Sequence, residues 1–194
     1  MDLYLIDDNA TVFSTIDGVI KLLKEENKYE QNSELYRIDA SGYGKLKTGN
    51  LTENIYFDLP LSEAFVTAIT QSVTGDKKIF LIDLALNAKD NSAVTDVYIL
   101  RKEGAVFTAS AATEIINILK EANNTIKIIV ISAIPDMLDD HELWKKHIQD
   151  GIHNKSWLDD IQFIPTEYIY EAPNNDECLK LLKDSTISNI RGEK

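Results

Sequence analysis

Lys78-Ile79-Phe80-Leu81-Ile82-Asp83, followed at once by Leu84, is the stretch that decides the fold. Four consecutive apolar residues show no alternation with polar ones, so both faces of such a strand must be covered. A strand buried on both sides is the mark of a parallel sheet with helices on each face. A carboxylate, Asp83, closes the run. The same arrangement occurs twice more. Leu3 to Ile6 is a compact apolar run that ends in Asp7, Asp8 and Asn9. Ile126 to Ile131 is the most apolar stretch of the chain, broken only by Lys127, and Ser132 ends it.

Between these runs the apolar residues recur at helical spacing. Val12, Phe13, Ile16, Val19, Ile20 and Leu23 form one stripe, and Phe65, Ala68, Ile69 and Val73 a second within Leu61 to Val73. Ile115, Ile116 and Leu119 mark a helix over Thr113 to Ala122, and Met137, Trp144 and Ile148 one over Pro135 to Gln149. Cys178, Leu181 and Leu182 mark a last helix over Asp176 to Lys183. Glu34 to Ile38 and Tyr168 to Tyr170 read as two further strands. Alternating strand and helix predict a doubly wound α/β fold with a five-stranded parallel sheet. The expected order is the flavodoxin-like 2-1-3-4-5. One domain over residues 1–194 is expected, with elaborations near 40–59, 87–110 and 150–166, each too long for an ordinary connection.

The composition narrows the function classes. Of the 194 residues 44% are hydrophobic, enough for one substantial core, and no apolar run is long enough to span a bilayer. The N-terminal MDLYLIDDN reads as a strand and not as a signal peptide. Cys178 is the single cysteine, so intrachain disulfides are excluded and a reducing, cytoplasmic setting is expected. The net charge of −12 disfavours direct contact with nucleic acid or anionic lipid.

The strand-end residues carry the chemistry. In an open α/β sheet, ligands bind beyond the carboxyl ends of the strands where the order reverses. In the order 2-1-3-4-5, strands ending in Asp7-Asp8, Asp83 and Ser132 are neighbours, so three carboxylates and a hydroxyl are expected on one patch. Carboxylates so close repel one another unless a cation lies among them. Mg²⁺, a hard ion that keeps several waters, suits such a set. A carboxylate beside the ion can attack a phosphoryl group, and the Ser132 hydroxyl can hold one of its oxygens.

These three motifs together resemble the receiver domain of two-component response regulators. Asp7-Asp8-Asn9 after Leu3-Tyr4-Leu5-Ile6 is similar to the receiver acidic pair. Ile79 to Leu84 is similar to the phosphoacceptor strand, and Ile128 to Ala133 to the strand that ends in a hydroxyl residue. The resemblance implies a stand-alone receiver that takes a phosphoryl group on Asp83 from a histidine kinase or phosphotransfer protein and signals to a protein effector. It also implies Mg²⁺ held by Asp7, Asp8, Asp83 and the backbone carbonyl of Ala85. The family's remaining signature is a lysine at the end of the last strand. Two registers stay open for it. In one, Lys155 takes the role. In the other, Tyr168 to Tyr170 is the last strand, Glu171 or Ala172 stands in place of the lysine, and Tyr168 is the switch aromatic.

Two other functions compete with phosphoryl acceptance. A degenerate receiver would bind proteins without carrying phosphate, and the place of Lys155 separates it from the first. A phosphatase resembling the haloacid-dehalogenase superfamily would use Asp7 as nucleophile, with Thr11, Ser132, Lys155 and Glu171 with Asp176 in support. It leaves Asp83 without a role. The plainer readings are a helix N-terminal charge for Asp7 or Asp8, a polar strand end for Asp83 and a helix cap for Ser132. His141, His147 and His153 lack metal-ligand spacing. Gly42-Tyr43-Gly44 lacks the third glycine of a dinucleotide loop.

Overall fold

The structure is a computed structural model that describes residues 2–7, 9–39, 63–74, 78–84, 86–88, 99–102, 105–108, 110–132, 145–146 and 148–183. The elaboration expected near 40–59 and most of the helix expected over Pro135 to Gln149 lie outside these residues.

In chain order the elements are β1 (Asp2–Asp7), α1 (Ala10–Glu25), β2 (Leu35–Asp39), α2 (Glu63–Ser72) and β3 (Lys78–Asp83). They continue with β4 (Leu86–Ala88), β5 (Ile99–Lys102), β6 (Ala105–Thr108), α3 (Ser110–Ala122) and β7 (Lys127–Ser132). A 3₁₀ helix (Lys155–Asp160), β8 (Ile161–Pro165), α4 (Thr166–Tyr170) and α5 (Asp176–Lys183) complete the chain as described. Residues 148–151 are also helical.

Five strands form one parallel sheet in the order β2-β1-β3-β7-β8. Numbered within that sheet the order is 2-1-3-4-5, a flavodoxin-like arrangement as expected. All six residues of β7 are buried, and so are the four inner residues of β3. The unbroken apolar runs therefore occupy the centre, where both faces are covered. Successive side chains leave a strand on opposite faces, which splits the core in two. Tyr4, Ile6, Phe80, Ile82, Ile128 and Val130 face α2, α3 and the 3₁₀ helix. Leu3, Leu5, Ile79, Leu81, Ile129 and Ile131 face α1, α4 and α5. The inward stripes are those the periodicity marks: Val12, Ile16, Ile20 and Leu23 of α1, and Cys178, Leu181 and Leu182 of α5. Burial pushes the Cys178 thiol up to about 12, as befits a core residue.

The stretch near 87–110 holds a second, antiparallel sheet in the order β4-β6-β5. It starts three residues after Asp83. The backbone N–H of Leu84 donates to Ile131 O at 2.7 Å and continues the β3–β7 ladder to the root of this insert.

The last strand departs from expectation. It lies at Ile161–Pro165, inside a stretch read as an elaboration, and residues 166–170 form a helix where a strand was expected. Gln162 and the preceding Asp159-Asp160 dilute the apolar signal of β8, which as an edge strand needs less of it. Tyr168 and Tyr170 favour strands on their own. Here one helical turn places Ile169 in the core, and tertiary packing overrides propensity.

The interior also holds two buried lysines. Lys120, with a fully buried side chain, donates to Asn124 O, Ile126 O and Asp160 Oδ2 at 3.1, 2.8 and 3.0 Å. Lys127 donates to Leu181 O at 3.0 Å and ties β7 to the end of α5.

Candidate functional site

Asp7 and Asp83 close neighbouring strands at the carboxyl edge. Ile6 pairs with Ile82, so the two aspartates follow in step, about 5 Å apart along the hydrogen-bonding direction. Each continues the strand row that faces α1, Leu3-Leu5 in β1 and Ile79-Leu81 in β3. Asp7 is 1% exposed, whereas Asp83 is half-buried.

Local sequence explains how Asp7 is held. The N–H of Asn9 donates to Asp7 Oδ1 at 2.6 Å. The Asn9 side chain in turn accepts from Thr11 N at 2.9 Å and caps α1. The buried carboxylate thus meets a main-chain donor beside the positive end of a helix. The helix-terminus explanation therefore accounts for part of Asp7. It does not account for a second carboxylate on the next strand.

Ser132, 3% exposed, ends β7 at the same edge and pairs with Pro165 of β8. Its row is that of Ile128 and Val130, while Asp83 pairs with Ile131 of the alternate row. Ser132 therefore borders the aspartate pair from the adjacent strand but belongs to the layer of α2 and α3. Asp8 and Ala85 lie outside the described residues.

Lys155 is elsewhere. It precedes β8, at the amino edge, and its Nζ donates to Gln149 O and Asp150 O at 2.6 and 2.7 Å. There it caps the helical residues 148–151. The end of β8 reads Phe163-Ile164-Pro165, with no lysine. Both registers considered for the strand-five lysine are thus replaced by a third. Glu171 and Ala172 follow α4 and do not end a strand.

Tyr170 is the residue the strand reading missed. It ends α4, which begins immediately beyond Pro165, and its ring packs half-buried in the layer shared with Ile131 and α1. Burial raises its pKa first, and the charges of Glu167, Asp7 and Asp83 raise it further. The phenol therefore stays protonated within electrostatic reach of both aspartates. The usable signal was Pro165 followed by a carboxylate at Glu167, which opens a helix rather than a strand. Tyr168, weighed as a switch aromatic, has its pKa raised by burial first, then by Cys178 and Glu177.

Among the described residues no three histidine, cysteine or carboxylate side chains gather as a metal-holding group. Two adjacent carboxylates on rigid strands nonetheless suit a hard cation that keeps most of its water, since Mg²⁺ needs few protein ligands. No protein-family model matches the chain, and no curated protein matches it. No helix among the described residues is long and apolar enough to cross a membrane.

Proposed function

We propose that the chain is a degenerate receiver: a flavodoxin-like signalling module that keeps the acidic pocket and acts through protein contacts without a phosphorylation cycle. One observation carries this reading. The aspartate pair sits at the carboxyl edge of the 2-1-3-4-5 sheet, while Lys155 is engaged on helix carbonyls at the opposite edge.

The physical reason is charge. A phosphoryl group on Asp83 would bring further negative charge beside buried Asp7. An ammonium normally offsets such crowding by pairing with the phosphoryl oxygens. With the last strand ending in Ile164-Pro165, that partner is missing from its place. Asp7 and Asp83 would still hold Mg²⁺. On the receiver resemblance, Asp8 and the Ala85 carbonyl would join them.

The second reading, a working phosphoacceptor at Asp83, draws support from the adjacent aspartates and from Ser132 on the next strand. The phosphatase-like reading requires Lys155 beside Asp7, which the amino-edge seat of that lysine disfavours.

Treatment with acetyl phosphate and Mg²⁺, followed by intact mass measurement, tests these readings. The proposed function expects no phosphoryl adduct on the wild type. An adduct lost in Asp83→Asn would overturn it in favour of the phosphoacceptor. An adduct that persists in Asp83→Asn and vanishes in Asp7→Asn would favour the phosphatase-like chemistry.

A further inference from the structure

Three aromatic rings form a row across the sheet. Tyr4 pairs with Tyr36 of β2 and with Phe80 of β3, so the three side chains leave the same face. The Tyr4 ring lies 5.0 Å from that of Tyr36 and 4.9 Å from that of Phe80, centroid to centroid, with planes 22° and 17° apart. Phe80 is buried, whereas Tyr36 ends the row on the edge strand and is 40% exposed. A ring already held by its neighbours has little freedom left to lose when a partner covers it.

Negative charge lies one step back along the same face. Leu3 pairs with Leu35, so Asp2 and Glu34 stand side by side, each two residues before a ring of the row. The N–H of Glu34 donates to Asp2 Oδ1 at 3.3 Å. The Tyr36 hydroxyl donates to the Glu34 carboxylate, and that bond, with the charges of Glu34 and Asp2, pushes the phenol up to about 12. The row already carries one cation. Lys78 Nζ lies over the Tyr4 ring, 5.0 Å from its centroid, and donates to Ser72 O at 2.6 Å.

We infer that Tyr36, with Glu34 beside it, is a docking point for an arginine side chain of a basic partner protein. The surface shares no residue with the carboxyl-edge pocket. Charge complementarity names the occupant: an exposed ring flanked by carboxylates, on a chain of net charge −12, favours a cation. A guanidinium suits it better than an ammonium, because it is planar, weakly hydrated and able to stack on the ring while pairing with the carboxylate. Glu34 can accept it, since a carboxylate has room for several donors beyond the Tyr36 hydroxyl.

The test uses the full chain and a fluorescein-labelled peptide of alternating arginine and glycine, with binding followed by anisotropy at physiological ionic strength. Tyr36→Ala and Tyr36→Leu should each weaken binding about fivefold, the leucine variant keeping an apolar side chain but no π face. Tyr36→Phe should stay within about twofold of the wild type. Glu34→Gln should cost about threefold, and Glu177→Gln, a charge change on α5 across the sheet, under about twofold. A peptide with lysine in place of arginine should bind about threefold more weakly. No binding to the wild type would overturn the inference, as would unchanged affinity in both Tyr36→Ala and Tyr36→Leu. Equal losses in Glu34→Gln and Glu177→Gln would overturn it too, since they would show attraction by bulk charge alone. Competition by tetramethylammonium that matches the peptide at equal concentration would replace the protein partner with a small cation.

Discussion

The two edges of the parallel sheet use charge in opposite ways. At the amino edge, helices end and the connections to the strands leave carbonyls that need donors. Lysines supply them: Lys78 to Ser72 O, Lys155 to Gln149 O and Asp150 O and Lys127 to Leu181 O at helix ends, and Lys120 to Asn124 O and Ile126 O in the connection between α3 and β7. At the carboxyl edge α1 begins, and the side chains described there include Asp7, Asp83, Ser132 and the phenol of Tyr170. Helix polarity accounts for much of this separation, because cations favour the carboxyl ends of helices and anions the amino ends. The carboxyl edge carries two carboxylates side by side, more negative charge than one helix terminus explains. On the proposed reading, one edge is a structural clamp and the other is the place for a ligand.

The strongest challenge to this contrast is Lys120→Met, which deletes the buried ammonium and leaves Asp160 and two carbonyls without it. Removing one partner of a buried pair costs about 3–5 kcal/mol, so urea unfolding should shift strongly. A cost below about 1 kcal/mol would show the amino edge to be loosely held. Burial also lowers the Lys120 pKa, with Asp160 opposing that shift. The unfolded chain then binds this proton more tightly than the folded one. The wild type should gain stability relative to Lys120→Met as pH rises from the lowered value toward about 10.4.

Gly151→Ala probes by volume the helical layer that carries these contacts. An added Cβ would lie 2.5 Å from Thr113 Cγ2, so the 148–151 helix and α3 would have to separate. The adjoining clip, in which Asn117 donates to Gly151 O and accepts from His153 N, would be strained. A loss of about 1–3 kcal/mol in thermal or urea unfolding is expected.

At the carboxyl edge the sign should reverse. Asp83→Asn removes one of two adjacent like charges and should raise stability by about 1 kcal/mol without Mg²⁺, as substitutions at functional sites often do. A destabilising outcome at neutral pH would mean that the interactions Asp83 makes outweigh its repulsion with Asp7. The smallest effect belongs to Lys155→Ala. Its exposed ammonium caps one helix end, so the loss should be under about 1 kcal/mol, with Mg²⁺ affinity unchanged. A rise in Mg²⁺ affinity would place Lys155 functionally at the site and revive the phosphoacceptor.

Most of this organisation was legible in the chain itself. Ile79 to Ile82 and Ile128 to Ile131 had to be central strands, because only burial on both faces tolerates such runs. Strand ends follow from where the apolar runs stop, so Asp7, Asp83 and Ser132 are placed at one edge by the sequence alone. Three things required the tertiary structure. An edge strand such as Ile161–Pro165 draws stability from pairing with β7 more than from its own composition, and Tyr168 to Tyr170 turned helical because packing of Ile169 outweighed local preference. Lys155 could be assigned to an edge only once the start of β8 was known, since a five-residue strand separates the two edges by about 17 Å. Tyr170 comes within electrostatic reach of Asp7 and Asp83, more than 80 residues away in sequence, a placement created by the fold and carried by no local pattern.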